Sequence, residues 1–161
     1  MPSALYSRWD TPIEFKSSGG VLFAPTSLAN NAGWKSDRYD LGTAAGPNRF
    51  IGRAKTKLAV AAAVGAILTI YLIGGDGTDA DGDLTSGNGS LPAADRRRNL
   101  IPIATIVADA ATVGPFVAPI PLFEFDDRYL QFAWYNEMGQ ALSSTATDHF
   151  MRIFPVPLEN Q

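Results

Sequence analysis

The chain has 161 residues, a net charge of −3, and no cysteine. That length suits one domain with a single core, and the missing thiols exclude disulfides, thiolate metal sites and cysteine nucleophiles. Only 18% of residues are charged, and 15 glycines and 11 prolines stand against one histidine. This balance favours short strands and turns over long exposed helices, and the acidic net charge argues against a general attraction to nucleic acid.

The first twenty residues mix Trp9, Ile13 and Phe15 with Pro12 and close on Ser17-Ser18-Gly19-Gly20. They are expected to form an extended arm with one short edge strand, suited to gripping a partner through those three side chains. No apolar run of the secretory type opens the chain, so the product is expected to be made in a cytoplasm. Residues 21–161 are expected to be one domain. Val21, Leu22 and Phe23 are a short apolar run, residues 24–33 a loop and residues 34–41 a strand ended by Gly42 and the turn Gly46-Pro47-Asn48.

From Arg49 the chain alternates. Phe50, Gly52, Ala54, Thr56, Leu58 and Val60 share one parity; Arg49, Arg53, Lys55 and Lys57 share the other, so one face is buried and one is wet. After a small-residue junction at 61–65, residues 67–73 are rich in β-branched and aromatic residues, and the two runs together suggest a hairpin or near-hairpin. Residues 74–94, rich in Gly, Asp and Ser, read as a long surface loop. Residues 100–107 read as a strand, and residues 113–125, with three prolines, as an edge or bulged strand. In residues 128–157, Leu130, Phe132 and Trp134 alternate with Tyr129, Gln131, Ala133 and Tyr135. Asn136-Glu137-Met138-Gly139 then reads as a turn, and a second strand at 149–156 closes on prolines.

Four features carry residue types that other roles would use. Residues 58–73 carry no charge but are shorter than the ~20 residues of a membrane span, and five alanines and a glycine among them drive insertion weakly. Asp79, Asp81 and Asp83 have the opening spacing of a calcium loop, yet Leu84 and Ser90 stand where its glycine and glutamate belong, so ordinary Asp-Gly turns are expected. Ser143, Ser144, Asp148 and His149 supply the residue types of a hydrolase triad without a nucleophile-elbow motif. Arg96-Arg97-Arg98 follows Asp95 and reads as a solvated or intersubunit charge run. The expectation is a protein with no enzymatic activity, cofactor or metal.

Ser27-Leu28-Ala29-Asn30, Tyr71-Leu72-Ile73-Gly74-Gly75-Asp76-Gly77-Thr78, Arg98-Asn99-Leu100 and Gly139-Gln140-Ala141-Leu142-Ser143-Ser144-Thr145-Ala146 resemble phrases of small structural proteins of tailed bacteriophages. The resemblance spans residues 21–157 and rests on turn and strand phrases. It implies a capsid decoration or cement protein: a β-sandwich that assembles on the outside of the head and braces capsomer junctions. The combined expectation is an all-β antiparallel sandwich of jelly-roll type with an extended N-terminal arm. It would be a virion component that forms a homo-oligomer such as a trimer and binds the major capsid protein, with no nucleic-acid or membrane partner. Trp9, Ile13, Phe15, Phe154 and Val156 are the candidate contacts. The alternatives are a tail or neck component, a carbohydrate or host-surface binding module, and a single-span membrane protein through residues 58–73.

Overall fold

The computed structural model describes residues 12–42, 48–75, 87–91 and 100–156. Their strands are β1 (Ile13–Lys16), β2 (Val21–Leu22), β3 (Ala32–Lys35), β4 (Tyr39–Asp40), β5 (Asn48–Thr56), β6 (Ile67–Ile73), β7 (Gly89–Ser90), β8 (Ile101–Val107), β9 (Phe116–Phe125), β10 (Tyr129–Glu137) and β11 (Phe150–Pro155). A short 3-10 turn, Ala146–Asp148, precedes β11. The strands form an antiparallel β-sandwich, apart from a two-residue parallel pairing of β2 with β1.

One sheet runs β2-β1-β11-β5-β9 and the other β7-β3-β10-β6-β8, with β4 on the lower part of β10. The major pairings are nested: β6 with β8, β5 with β9, β3 with β10 and β1 with β11. The chain is therefore a long antiparallel ribbon folded over on itself, with successive nested pairs falling in alternate sheets.

Alternation explains the first sheet. Phe50, Ala54 and Thr56 of β5, Met151 and Ile153 of β11, and Phe116, Ala118 and Ile120 of β9 point inward. They meet Leu68, Ile70, Phe132 and Trp134 of the second sheet in one apolar core. Phe15 meets Phe132 edge-on at 4.9 Å and Phe23 meets Trp134 at 4.8 Å, the geometry that ring quadrupoles favour. Gly52 lets β5 approach β11 closely, since a Cβ there would lie 2.5 Å from the Arg152 carbonyl oxygen.

Several expectations need correction. Ile13 and Phe15 are not surface residues of an arm. They sit in β1 beside β11 and are 8% and 0% exposed, because β1 supplies two of the inward rows of the first sheet. The sequence from residue 12 therefore belongs to the sandwich, and Trp9 lies outside the described residues. The 49–73 segment is not a hairpin: β5 and β6 lie in different sheets, and residues 57–66 carry the chain across the upper end of the sandwich. Val60, on the inward parity of β5, falls past its end and is 58% exposed. The strand expected over 34–41 is two short ones, and Asn136 to Met138 is not an exposed turn, since Asn136 and Met138 are both fully buried. The turn Gly46-Pro47-Asn48 lies largely outside the described residues.

The second sheet is covered on its outer side as well. Leu91, just after β7, and Leu100, just before β8, pack with Ile73, Ala133 and Tyr71 in a small second cluster. Gly33 makes room for this plug, because a Cβ there would lie 2.7 Å from Leu91. Gln131 and Ala133 of β10 are consequently buried instead of facing solvent.

Candidate interaction surface

Ser143, Asp148 and His149 do come together, but their bonding differs from that of a nucleophile, base and acid. The Ser143 hydroxyl donates to Asp148 Oδ2 at 2.8 Å, and Lys57 Nζ pairs with Asp148 Oδ1 at 2.9 Å. His149 Nε2 lies 2.9 Å from the carbonyl oxygen of Ser143, and its Nδ1 lies 2.9 Å from Thr56 Oγ1. A carbonyl can only accept, so Nε2 carries the proton and Nδ1 accepts from the threonine hydroxyl. Neither ring nitrogen reaches the serine hydroxyl. Burial pushes the His149 pKa down, while the Lys57 ammonium and the Ser143 hydroxyl hold the Asp148 carboxyl below its usual range. The cluster is a clasp that ties the 143–149 segment to β5.

Asn136 plays the same part on the neighbouring segment. Its Nδ2 donates to the carbonyls of Leu28, Ala29 and Gln140 at 2.8–3.1 Å, and its Oδ1 accepts the Met138 amide at 3.0 Å. A buried amide with all its groups satisfied fixes the upper loops in one arrangement. At the lower end Arg128 binds Asp40 through two parallel bonds of 2.9 and 2.7 Å, and with the Gly42 amide this holds the Asp40 pKa at about 2. Among the described residues no group of three or more His, Asp or Glu side chains is placed to hold a metal ion. The acidic loop residues Asp79, Asp81 and Asp83, with Arg96-Arg97-Arg98, lie outside the described residues.

Apart from these polar clusters, exposed apolar side chains are gathered mainly at two places. At the upper end, residues 58–65 lie along residues 108–113, joined by the Leu58 amide to the Val113 carbonyl at 2.9 Å and the Gly65 amide to the Ala108 carbonyl at 2.8 Å. Val60, Val64 and Val113 project from this end, and Val64 is 67% exposed. No described helix is long and apolar enough to cross a membrane, and the uncharged run at 58–73 forms this connector and β6. Ile101 and Val107 of β8 and Val117 and Leu122 of β9 are exposed on the two neighbouring edge strands of one flank, Val107 facing outward from the second sheet and Val117 from the first.

Phe154 and Val156 lie at the lower end of β11, both half-buried. Phe154 is opposite Ile51, and the Val156 amide donates to the Arg49 carbonyl at 2.7 Å. The candidate contacts therefore do not form one site: Ile13 and Phe15 are inside, whereas Phe154 and Val156 are at the rim. The apolar flank was missed in the sequence because Val117 and Leu122 sit in a run where every second residue is buried, and only strand order reveals which are left uncovered. No family model matches the chain, and no curated protein matches it.

Proposed function

We propose that the protein is a non-enzymatic virion structural protein, a capsid decoration or cement subunit that self-associates and strengthens a phage head by binding its major capsid protein. The observation that carries this reading is the exposed apolar surface at the upper end and along the β8–β9 flank. Exposed apolar side chains gathered at one end of a folded domain and on its neighbouring edge strands are what protein–protein contact covers, since leaving them in water favours aggregation. The nested strand order supports a jelly roll, an architecture that capsid and lectin domains share with other proteins. Binding at many symmetric sites lets modest contacts add up to firm attachment.

Light scattering on the purified protein and co-sedimentation with capsids that lack it test the reading. An oligomer that pellets saturably with those capsids is the expected result, and a protein that ignores them sinks the capsid assignment and leaves the tail or neck role. Residues 1–11, with Trp9, are the segment to delete when testing an arm. A cut beyond residue 12 removes β1 and with it Phe15 from the core.

A second reading, a binding module for carbohydrate or a host surface, has one observation in its favour. An open groove of about 810 Å³ is lined by Glu14, Leu22, Asp37, Arg38 and Tyr39, a mixture of polar and apolar side chains. Ligand-dependent thermal stabilisation by an oligosaccharide series separates this reading from the first.

A further inference from the structure

The outer face of the first sheet carries charge of the opposite sign to the whole chain. Five outward positions of β5 and the residue after it are Arg49, Ile51, Arg53, Lys55 and Lys57, and Arg152 and Lys16 join them from β11 and β1. Those six cations are accompanied by three acids, Glu14, Glu124 and Asp148, which gives the face a net charge of +3 on a chain whose total is −3. Unlike the second sheet, whose outer side is plugged by Leu91 and Leu100, this face has no covering element among the described residues.

The three acids do not neutralise it evenly. Glu14 bridges Lys16 and Arg152, Glu124 meets Arg49, and Asp148 meets Lys57. Arg53 and Lys55 have no acidic partner among the described residues. Arg53 is moreover held directly opposite Arg152 by the β5–β11 register, and like charges in directly opposed positions destabilise a sheet. A register that sets two arginines at opposed positions, with Glu14 engaging only Arg152, concentrates positive charge on a rigid ladder that an anion can meet without backbone rearrangement.

The cations are interleaved with apolar groups. Glu14, Arg152, Arg53 and Pro119 form one row across four strands, and Phe150, Lys55 and Val117 form the next. The Lys55 ammonium lies 4.9 Å from the centre of the Phe150 ring, and the Arg152 guanidinium lies 5.8 Å from it on the neighbouring row. A shallow cleft of about 270 Å³ beside Lys16, Phe150 and Arg152 offers room for a side chain. Arginine with aromatic and apolar neighbours is the composition of protein interfaces. A nucleic-acid strand would meet the three carboxylates already on the face and the acidic charge of the rest of the chain.

We infer that this face is the docking surface for an acidic protein surface, with Arg53 and Lys55 as the residues that meet its carboxylates. Where the protein is a capsid cement subunit, this face is the one turned to the shell, a step that rests on the function proposed above. The test replaces Arg53 and Lys55 together by glutamine, which removes both charges and keeps most of each stem. Wild type and R53Q/K55Q are compared on capsids lacking the protein and on immobilised poly-L-glutamate, at rising salt.

The expected result is that the variant unfolds close to the wild-type temperature, since both side chains lie on the outer face and neither has an acidic partner among the described residues. It should bind both probes about tenfold more weakly, with a shallower salt dependence. Equal binding of the two proteins to capsids overturns the docking face and leaves the capsid reading intact. Wild type that ignores capsids but is retained by polyglutamate more strongly than the variant upholds the acid-binding face and removes the capsid reading. No difference on either probe, or tighter binding of wild type to a single-stranded oligonucleotide than to polyglutamate, overturns the inference.

Discussion

His149 shows how a single buried side chain can govern the response of the fold to pH. Its folded pKa is depressed chiefly by burial, so below about pH 6.5 the unfolded chain takes up a proton that the folded chain resists. Stability is therefore complete above the unfolded value and falls as pH drops through it toward the folded one. Urea midpoints between pH 7.5 and 5 should decline for the wild type and stay flatter in His149→Gln. Thr56→Val leaves Nδ1 without its donor and should cost about 1–3 kcal/mol at pH 7.5, read from the same titrations. Alternation along β5 assigns Thr56 to the inner face from sequence alone, but nothing local links it to a histidine near the other end of the chain. The residue types of the clasp were visible; its wiring was not, because hydrogen-bond partners that far apart are set by strand order.

At the level of elements, the edges of both sheets are blunted in two ways. β2 and β7 are only two residues long, and the longer edges β8 and β9 contain Pro102 and the pair Pro119 and Pro121. A proline withholds a ladder donor and discourages a further strand from adding. Replacing both Pro119 and Pro121 by threonine should expose a continuous β-prone edge, and light scattering should then show concentration-dependent aggregation that the wild type lacks. The prolines made β9 legible as an edge or bulged strand, and the register slip between Phe50 and Gly52 accompanies that edge. The supposed hairpin of β5 and β6 failed for a physical reason: periodicity reports which side of a strand is apolar, not which sheet it joins. β10 was misread on one face only, because the Leu91 and Leu100 plug comes from segments that look like loop. Leu91→Ala should open that small cluster and cost about 2 kcal/mol, at the low end for leucine because the site is near the surface, as measured by denaturant unfolding.

Over the whole molecule, the nested pairings place increasingly distant parts of the chain together: Ile70 with Ala104, Ala54 with Ala118, Trp34 with Trp134, and Phe15 with Met151. That order has a consequence in time. Closing a large loop costs more chain entropy than closing a small one, and each inner pair shortens the loop left for the next. Folding should therefore zip outward from β6–β8 and finish when β1 reaches β11, and the many distant pairings should make it slow for a chain of this size. In a kinetic series, truncating Ile106 in β8 should chiefly slow refolding, whereas truncating Ile153 in β11 should chiefly speed unfolding. A newly made chain would then hold a nearly complete sandwich with one open seam until its last strand arrives, and that seam is where a second copy of β11 has its best opportunity to enter.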